Sequence, residues 1–362
     1  MLTLPKLAEI RLEHRPDLVV PPAAGRPLFV GCRDGQVAWF STELRLIGRA
    51  NLDGQIDDLS VSPRDPFIAV ARPDRLTVLG LDGAVSHVIE HPQPLQYTAC
   101  MFSPDGQLLW IIAGGESPGT AELQLLRSSD LGVIARINLP LDEEYASDAC
   151  FYLCYHPEGK AIAVGAVAGQ NGSWLYWAWH SNGKLHLRDL PRFTGPTAFL
   201  FSPTGEEIIF IDAMDKWRRC RFPDAKPIKS VAVSELGVEF PHNECFVSDR
   251  HVLVRSGNER LMLLDVVAMH LADQVDLEGY ALKRSIFPPT PYEPEAKELV
   301  YGDIGIVTRW GDDRLITAHS DQTNHFLRIW DATSLFSPLE PPDPEAKRTA
   351  RLKPKPTPTP FE

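Results

Sequence analysis

The chain repeats one pattern: a short apolar run, a polar turn, and a second apolar run. In its clearest copy, Cys100-Met101-Phe102 leads through Ser103-Pro104-Asp105-Gly106 into Leu108–Ile112. Proline presets one backbone angle of such a turn and glycine takes the positive one. Leu108–Ile112 is apolar without alternation, as in a strand covered on both faces. The module recurs as Phe201-Ser202-Pro203-Thr204-Gly205 before Glu206–Ile211, and as Tyr155-His156-Pro157-Glu158-Gly159 before Lys160–Val164. A looser copy is Val61-Ser62-Pro63-Arg64-Asp65 before Phe67–Val70. A repeated unit sets the architecture before any single residue does.

The same patterning predicts further short strands between the turns. Leu7–Leu12 alternates, and Pro27–Cys32, Gln36–Ser41 and Leu44–Leu52 follow, the first two joined by Arg33-Asp34-Gly35. The second unit continues through Leu76–Leu81 and Ala84–Glu90, and the third through Glu122–Arg127 and Val133–Leu139. The fourth carries Trp174–His180 and Leu185–Asp189; the fifth carries Trp217–Phe222 and Ile228–Val233. In the sixth the turn degrades to Ser248-Asp249-Arg250, between Cys245–Val247 and His251–Ser256. Arg260–Val266 and Gln274–Leu277 complete it, and the seventh holds Gly305–Arg309, Arg314–His319 and Phe326–Asp331.

The turn prolines at 63, 104, 157 and 203 are 41, 53 and 46 residues apart. Four-stranded propeller blades repeat every ~40–50 residues. Taking Asp249 and Asp312 as equivalents adds steps of 46 and 63, and the longer steps hold visible insertions, Gly165–Ser173 and the proline-rich Pro288–Glu298. No long helix-period segment interrupts the series, which argues against a parallel βαβ sheet. The expected fold is all-β: a seven-bladed β-propeller of four-stranded antiparallel blades. Leu7–Leu12 should pair beside Phe326–Asp331 and lock the ring, leaving few free edges.

On these residues the chain resembles the WD-repeat-like β-propellers, over about Leu7–Leu335. The resemblance is carried by the FSPDG-type turns and by Arg328-Ile329-Trp330-Asp331, the one Trp-Asp dipeptide in the chain. Acids at the family's second-to-third-strand turns match Asp34, Asp74, Asp215 and Asp321, with Asn258 at the sixth. There is no Gly-His dipeptide, so the family's usual blade-stapling hydrogen bonds are expected to be largely missing. Sugar-lactone hydrolases and periplasmic transport accessories use similar turns, so the resemblance speaks to fold before function.

Composition narrows the partners. A formal net charge of −12 argues against a phosphate-backbone binder, which needs a basic face. The six cysteines are scattered with no C-x-x-C pair, as expected of small core residues in a reducing, cytoplasmic setting. No basic-then-apolar leader opens the chain, and no 18-residue apolar window is present, so no membrane association is expected. Residues 1–336 are read as the propeller. Residues 337–362 are rich in proline and in Lys347, Arg348, Arg351, Lys353 and Lys355, and are read as a disordered tail or docking peptide.

No phosphate loop, G-x-S-x-G elbow, H-E-x-x-H or calcium loop occurs, and no cofactor is expected. Loops before the inner strands should open on one face, placing Asp57, Asp148 and Asp303 where a divalent cation would find converging oxygens. Asp58, Glu143, Glu144, Tyr145, Phe240, His242, Tyr292 and His325 are the candidates for contacting a protein partner. Trp174, Tyr176, Trp177 and Trp179 are read as filler between blades. Two functions follow: a non-enzymatic interaction scaffold, or a lactonase-like hydrolase with a metal near the channel.

Overall fold

The computed structural model describes residues 2–21, 26–90, 95–115, 121–141, 149–159, 161–168, 172–190, 199–212, 214–238, 242–256, 260–278, 303–311, 313–320 and 324–336. Two strands lie at the start, β1 (Leu2–Leu4) and β2 (Lys6–Leu12). Blade one is β3 (Leu18–Val20), β4 (Leu28–Gly31), β5 (Gln36–Phe40) and β6 (Leu46–Asn51). Blade two is β7 (Asp58–Val61), β8 (Phe67–Ala71), β9 (Arg75–Gly80) and β10 (Val85–Glu90). Blade three is β11 (Leu95–Phe102), β12 (Leu108–Gly115), β13 (Ala121–Arg127) and β14 (Val133–Leu139). Blade four is β15 (Cys150–Tyr155), β16 (Ile162–Ala168), β17 (Gly172–Ser181) and β18 (Lys184–Leu190). Blade five is β19 (Leu200–Phe201), β20 (Glu207–Ile211), β21 (Lys216–Arg221) and β22 (Lys226–Ala232). Blade six is β23 (His242–Phe246), β24 (His251–Arg255), β25 (Leu261–Asp265) and β26 (His270–Leu277). Blade seven takes β27 (Asp303–Trp310), β28 (Arg314–Ser320) and β29 (His325–Asp331), with β2 as its outer strand.

This is the expected seven-bladed propeller, and the expected closure: β2 pairs antiparallel with β29. The structure adds a second closure that the alternation in Leu7–Leu12 did not signal. β1 pairs in parallel with β26, as a fifth strand on blade six. The chain start therefore laces two neighbouring blades. Glu278 N–H donates to the Leu4 carbonyl at 3.0 Å, and Asp331 N–H to that of Pro5 at 2.8 Å. Leu4 is fully buried, packed with Val275, Leu277, Val307 and Trp330 between blades six and seven.

The core is a ring of layers between blades, because each central strand is covered on both faces. One layer sets Leu28, Val30 and Phe40 of blade one against Ile316, Leu327 and Ile329 of blade seven. The aromatic strand β17 serves two layers. Trp174 and Tyr176 pack toward blade three, while Trp177 meets Phe222 of blade five edge-on, with ring centroids 3.8 Å apart. Six of the seven outer strands carry a one-residue bulge, which turns Ile47, Ile228 and Leu7 outward and accounts for three of the largest exposed apolar side chains.

The FSPDG-type turns nest on the lower face. Gly106 N–H donates to the Ser103 carbonyl at 2.8 Å, and Ser103 Oγ accepts from Leu108 N–H at 2.9 Å. Blade four has His156 at the serine position. Its Nδ1 accepts from Glu158 N–H, and its Nε2–H donates to the Gly205 carbonyl of the next blade's turn at 3.0 Å. A Cβ on Gly205 would sit 2.4 Å from that ring, so this turn needs glycine for space as well as for its φ of 73°. In blade seven, Trp330 Nε1–H donates to Thr317 Oγ1 at 2.8 Å, and Thr317 is bonded in turn to His319. That is a buried staple of the kind expected to be scarce, with its histidine on a strand. The acids holding the second-to-third-strand turns also differ from expectation in blade five. There Asp212 accepts from Met214 and Lys216 N–H, whereas Asp215 takes a left-handed φ of 54°.

Two stability experiments follow. Leu4→Ala should cost about 2–5 kcal/mol in denaturant unfolding, as for a buried core leucine, although the residue lies at the extreme end of the chain. Gly183 and Gly205 share a φ of 73°, but nothing lies within 4 Å of a Cβ on Gly183. Gly183→Ala should therefore cost about 1–2 kcal/mol of backbone strain alone. Gly205→Ala should cost more, and His156→Ala in the same chain should recover the difference; equal losses at both glycines would contradict the nested-turn account.

Candidate functional site

The inner strands of all seven blades converge on one channel. Its upper part is a 470 Å³ cavity bounded by Asp17 and Leu18 of blade one, Asp57 and Asp58 of blade two, and Met101 of blade three. Phe151, Tyr152 and Cys154 of blade four, Phe199 and Leu200 of blade five, Arg255 of blade six and Ile306–Thr308 of blade seven complete the wall. The wall is mostly apolar and aromatic with charges at the mouth, because the inner strands enter from that side on polar loops.

Asp57 and Asp58, both expected at this face, behave differently. Asp58 opens β7 and turns toward the next blade: its Oδ2 accepts Cys100 N–H and its Oδ1 accepts Leu59 N–H, each at 2.8 Å. Two residues on, Ser60 Oγ accepts Phe102 N–H at 2.9 Å. Blade two's inner strand thus satisfies backbone donors on the channel edge of β11, where the narrow shaft leaves no room for another strand. Burial pushes the Asp58 carboxyl up to about 7, against the two N–H bonds that favour its charged form. Asp57 is bonded through Oδ1 to the Gln55 side-chain amide, and no hydrogen bond is made to its other oxygen among the described residues. Burial raises its pKa too, partly offset by the Arg33 guanidinium. Asp17 is spent on architecture, accepting Arg33 N–H at 2.8 Å.

The remaining candidates are placed unevenly. Asp303 and His242 are the first residues of β27 and β23, and their side chains lie outside the described residues. Asp148, Glu143, Glu144, Tyr145, Phe240 and Tyr292 lie outside the described residues altogether, as does the 337–362 segment. His325 opens β29 and is half-buried, with its Nδ1 enclosed and without a hydrogen-bond partner among the described residues. Among the described residues no three His, Cys, Asp or Glu side chains gather as a metal site would require. All six cysteines are free thiols; Cys32, Cys100 and Cys220 are buried, whereas Cys150 is exposed.

Asp17, Phe151, Tyr152, Phe199 and Arg255 were not singled out from the sequence. A signal for part of the wall was present. Counting back in twos from the serine or histidine of each turn reaches Asp58, Met101, Tyr152, Cys154 and Leu200, the period of a strand facing the shaft. Arg255 ends a second strand, and no turn motif marks its distance from the channel.

No family model matches the chain, and no curated protein matches it. Among solved structures it is similar to the crystal structure of the Myceliophteria thermophila Cps50 (Swd1) β-propeller domain, with a TM-score of 0.63 and 13% sequence identity. The match covers 91% of this chain and 99% of that one. No helix is long and apolar enough to cross a membrane, among the described residues.

The raised Asp58 pKa has a sign that can be checked. Its folded value lies above the usual carboxylate value, so the native state holds a proton that the unfolded chain has released. This contribution is complete below about pH 4 and is lost as pH rises toward about 7. Across that window the native chain should lose unfolding free energy relative to Asp58→Asn, which does not titrate there; parallel curves would show that Asp58 keeps an ordinary pKa. Closed ring, nested turns and structural match together show the fold of the chain, a seven-bladed β-propeller.

Proposed function

We infer that the chain is a non-catalytic interaction scaffold whose channel mouth receives part of a protein partner. The observation that carries this reading is the cavity to which every blade contributes, with the Asp57 carboxylate half-bonded at its entrance. A ring closed at both ends holds wall residues from seven blades in fixed relation. A partner's side chain entering it loses little to ordering of the receptor. The apolar wall offers burial, and the mouth acids favour a basic group at the entrance. The likeness to the Cps50 (Swd1) β-propeller domain supports the fold on which this rests and identifies no partner.

Affinity capture from cell extract with the native chain, Asp57→Arg and Tyr152→Ala tests the reading. Proteins retained by the native chain should be lost with both variants while melting temperature stays close to native. Retention unchanged by either substitution would remove the channel mouth from consideration. A melting temperature that responds to added calcium or EDTA would favour the metal-dependent hydrolase instead.

A further inference from the structure

The seven outer strands are not equivalent as edges. An outer strand leaves one side of its backbone unpaired, and such edges invite other chains to pair with them. Six of the seven are blunted by a bulge, whose extra residue is Ile47, Ser86, Ile134, Ile228, Ala272 or Leu7. β22 carries Pro227 as well, and β26 is already covered by β1. Among the described residues β18 has none of these devices. Its register with β17 runs unbroken through seven pairs, from Ser181↔Lys184 to Leu175↔Leu190.

The cause is the turn. Asn182 and Gly183 have φ of 52° and 73°, the two left-handed residues of a two-residue hairpin, whose twist continues a regular ladder. The other outer hairpins within a blade use turns of four or five residues and take up the mismatch in a bulge. Blade four is therefore left with a long, regular edge.

Side chains mark what would pair there. Lys184, His186 and Arg188 alternate along one face of β18. That face is shared with the cross-strand partners Trp179 and Trp177, and it looks toward blade five. The His186 ring stacks on Trp179, with centroids 5.1 Å apart and planes 14° from parallel. Lys184 and Arg188 are exposed and have no ion-pair partner among the described residues. On the opposite face, buried Leu185 and half-buried Leu187 anchor the strand against blade three.

We propose that the free edge of β18 is a docking site for an extended, acidic segment of a partner protein, which adds to blade four as a fifth strand. The same fold already does this once with its own residues, where β1 extends blade six. Main-chain bonds would supply affinity and the side-chain row specificity. Carboxylates at alternate positions would meet Lys184 and Arg188, and an apolar residue between them would lie over the Trp179–His186 stack. A second copy of the chain is the weaker occupant, because antiparallel self-pairing sets the cationic row against itself. This site lies on the outer rim and stands whether or not the channel mouth binds a partner.

The test is an anisotropy titration of the full chain with the fluorescein-labelled peptide Thr-Glu-Thr-Val-Thr-Glu-Thr, combined with amide hydrogen exchange. Saturable binding should slow exchange in residues 184–190. Binding should weaken about tenfold in a Lys184→Glu, Arg188→Glu chain whose melting temperature is unchanged. A peptide N-methylated at alternate backbone nitrogens should not bind. Absence of binding up to about 1 mM peptide, insensitivity to N-methylation, or protection at the channel strands would each overturn the proposal. So would sedimentation of the native chain as a dimer that the charge reversal dissociates, since the second copy would then own the edge.

Discussion

Backbone hydrogen bonds between the two ends of the chain hold the ring shut, and the rest of the molecule relies on them. A row of blades without closure would expose the apolar faces of its first and last sheets. Here the layer between blades one and seven is as dry as any other, with Leu28, Ile316, Leu327 and Ile329 all essentially inaccessible. The double lacing matters because its two halves lie on different blades. β2 completes blade seven, while β1 reaches back to blade six and buries Leu4 against Trp330. The Glu9–Arg328 ion pair at 2.5 Å sits on this seam, but a partly exposed pair contributes at most about 1 kcal/mol. Backbone pairing and apolar burial carry the closure.

The two faces of the wheel are built on different principles. Below, each turn is wedged against the next: His156 lies on Gly205, and a Cβ on Gly106 would collide with Arg64. Such packing leaves little room for a ligand and much rigidity. Along the shaft, Asp58 and Ser60 of blade two satisfy backbone donors of β11 in the next blade.

The architecture was legible because its determinants are local. Serine or histidine followed by proline, with glycine in three of the four, dictates the lower turns of blades two to five, and uninterrupted apolar runs dictate the covered strands. The ring closure was partly legible, since Leu7–Leu12 alternates as a half-exposed edge strand should. β1 was not, because three residues carry no period. The channel site was legible only where turn and shaft are a fixed few residues apart, which caught Asp57 and Asp58 and missed Arg255. Roles were harder still. Asp57 and Asp58 are neighbours of the same type, yet one completes a backbone ladder and the other faces the opening, a difference decided by the blade next door.

The lacing of the chain start also orders the molecule in time. Glu9 and Arg328 are 319 positions apart, so the earlier strand waits through the synthesis of six blades for its partner. Until residues 303–331 leave the ribosome, six sheets can form but the wheel cannot, and Lys6–Leu12 stays without its hydrogen-bonding mates. Slow, long-range pairing of this kind is where nascent chains are most open to wrong associations. The polar residues spaced through that segment, Lys6, Glu9 and Arg11, give it the means to stay in water while it waits.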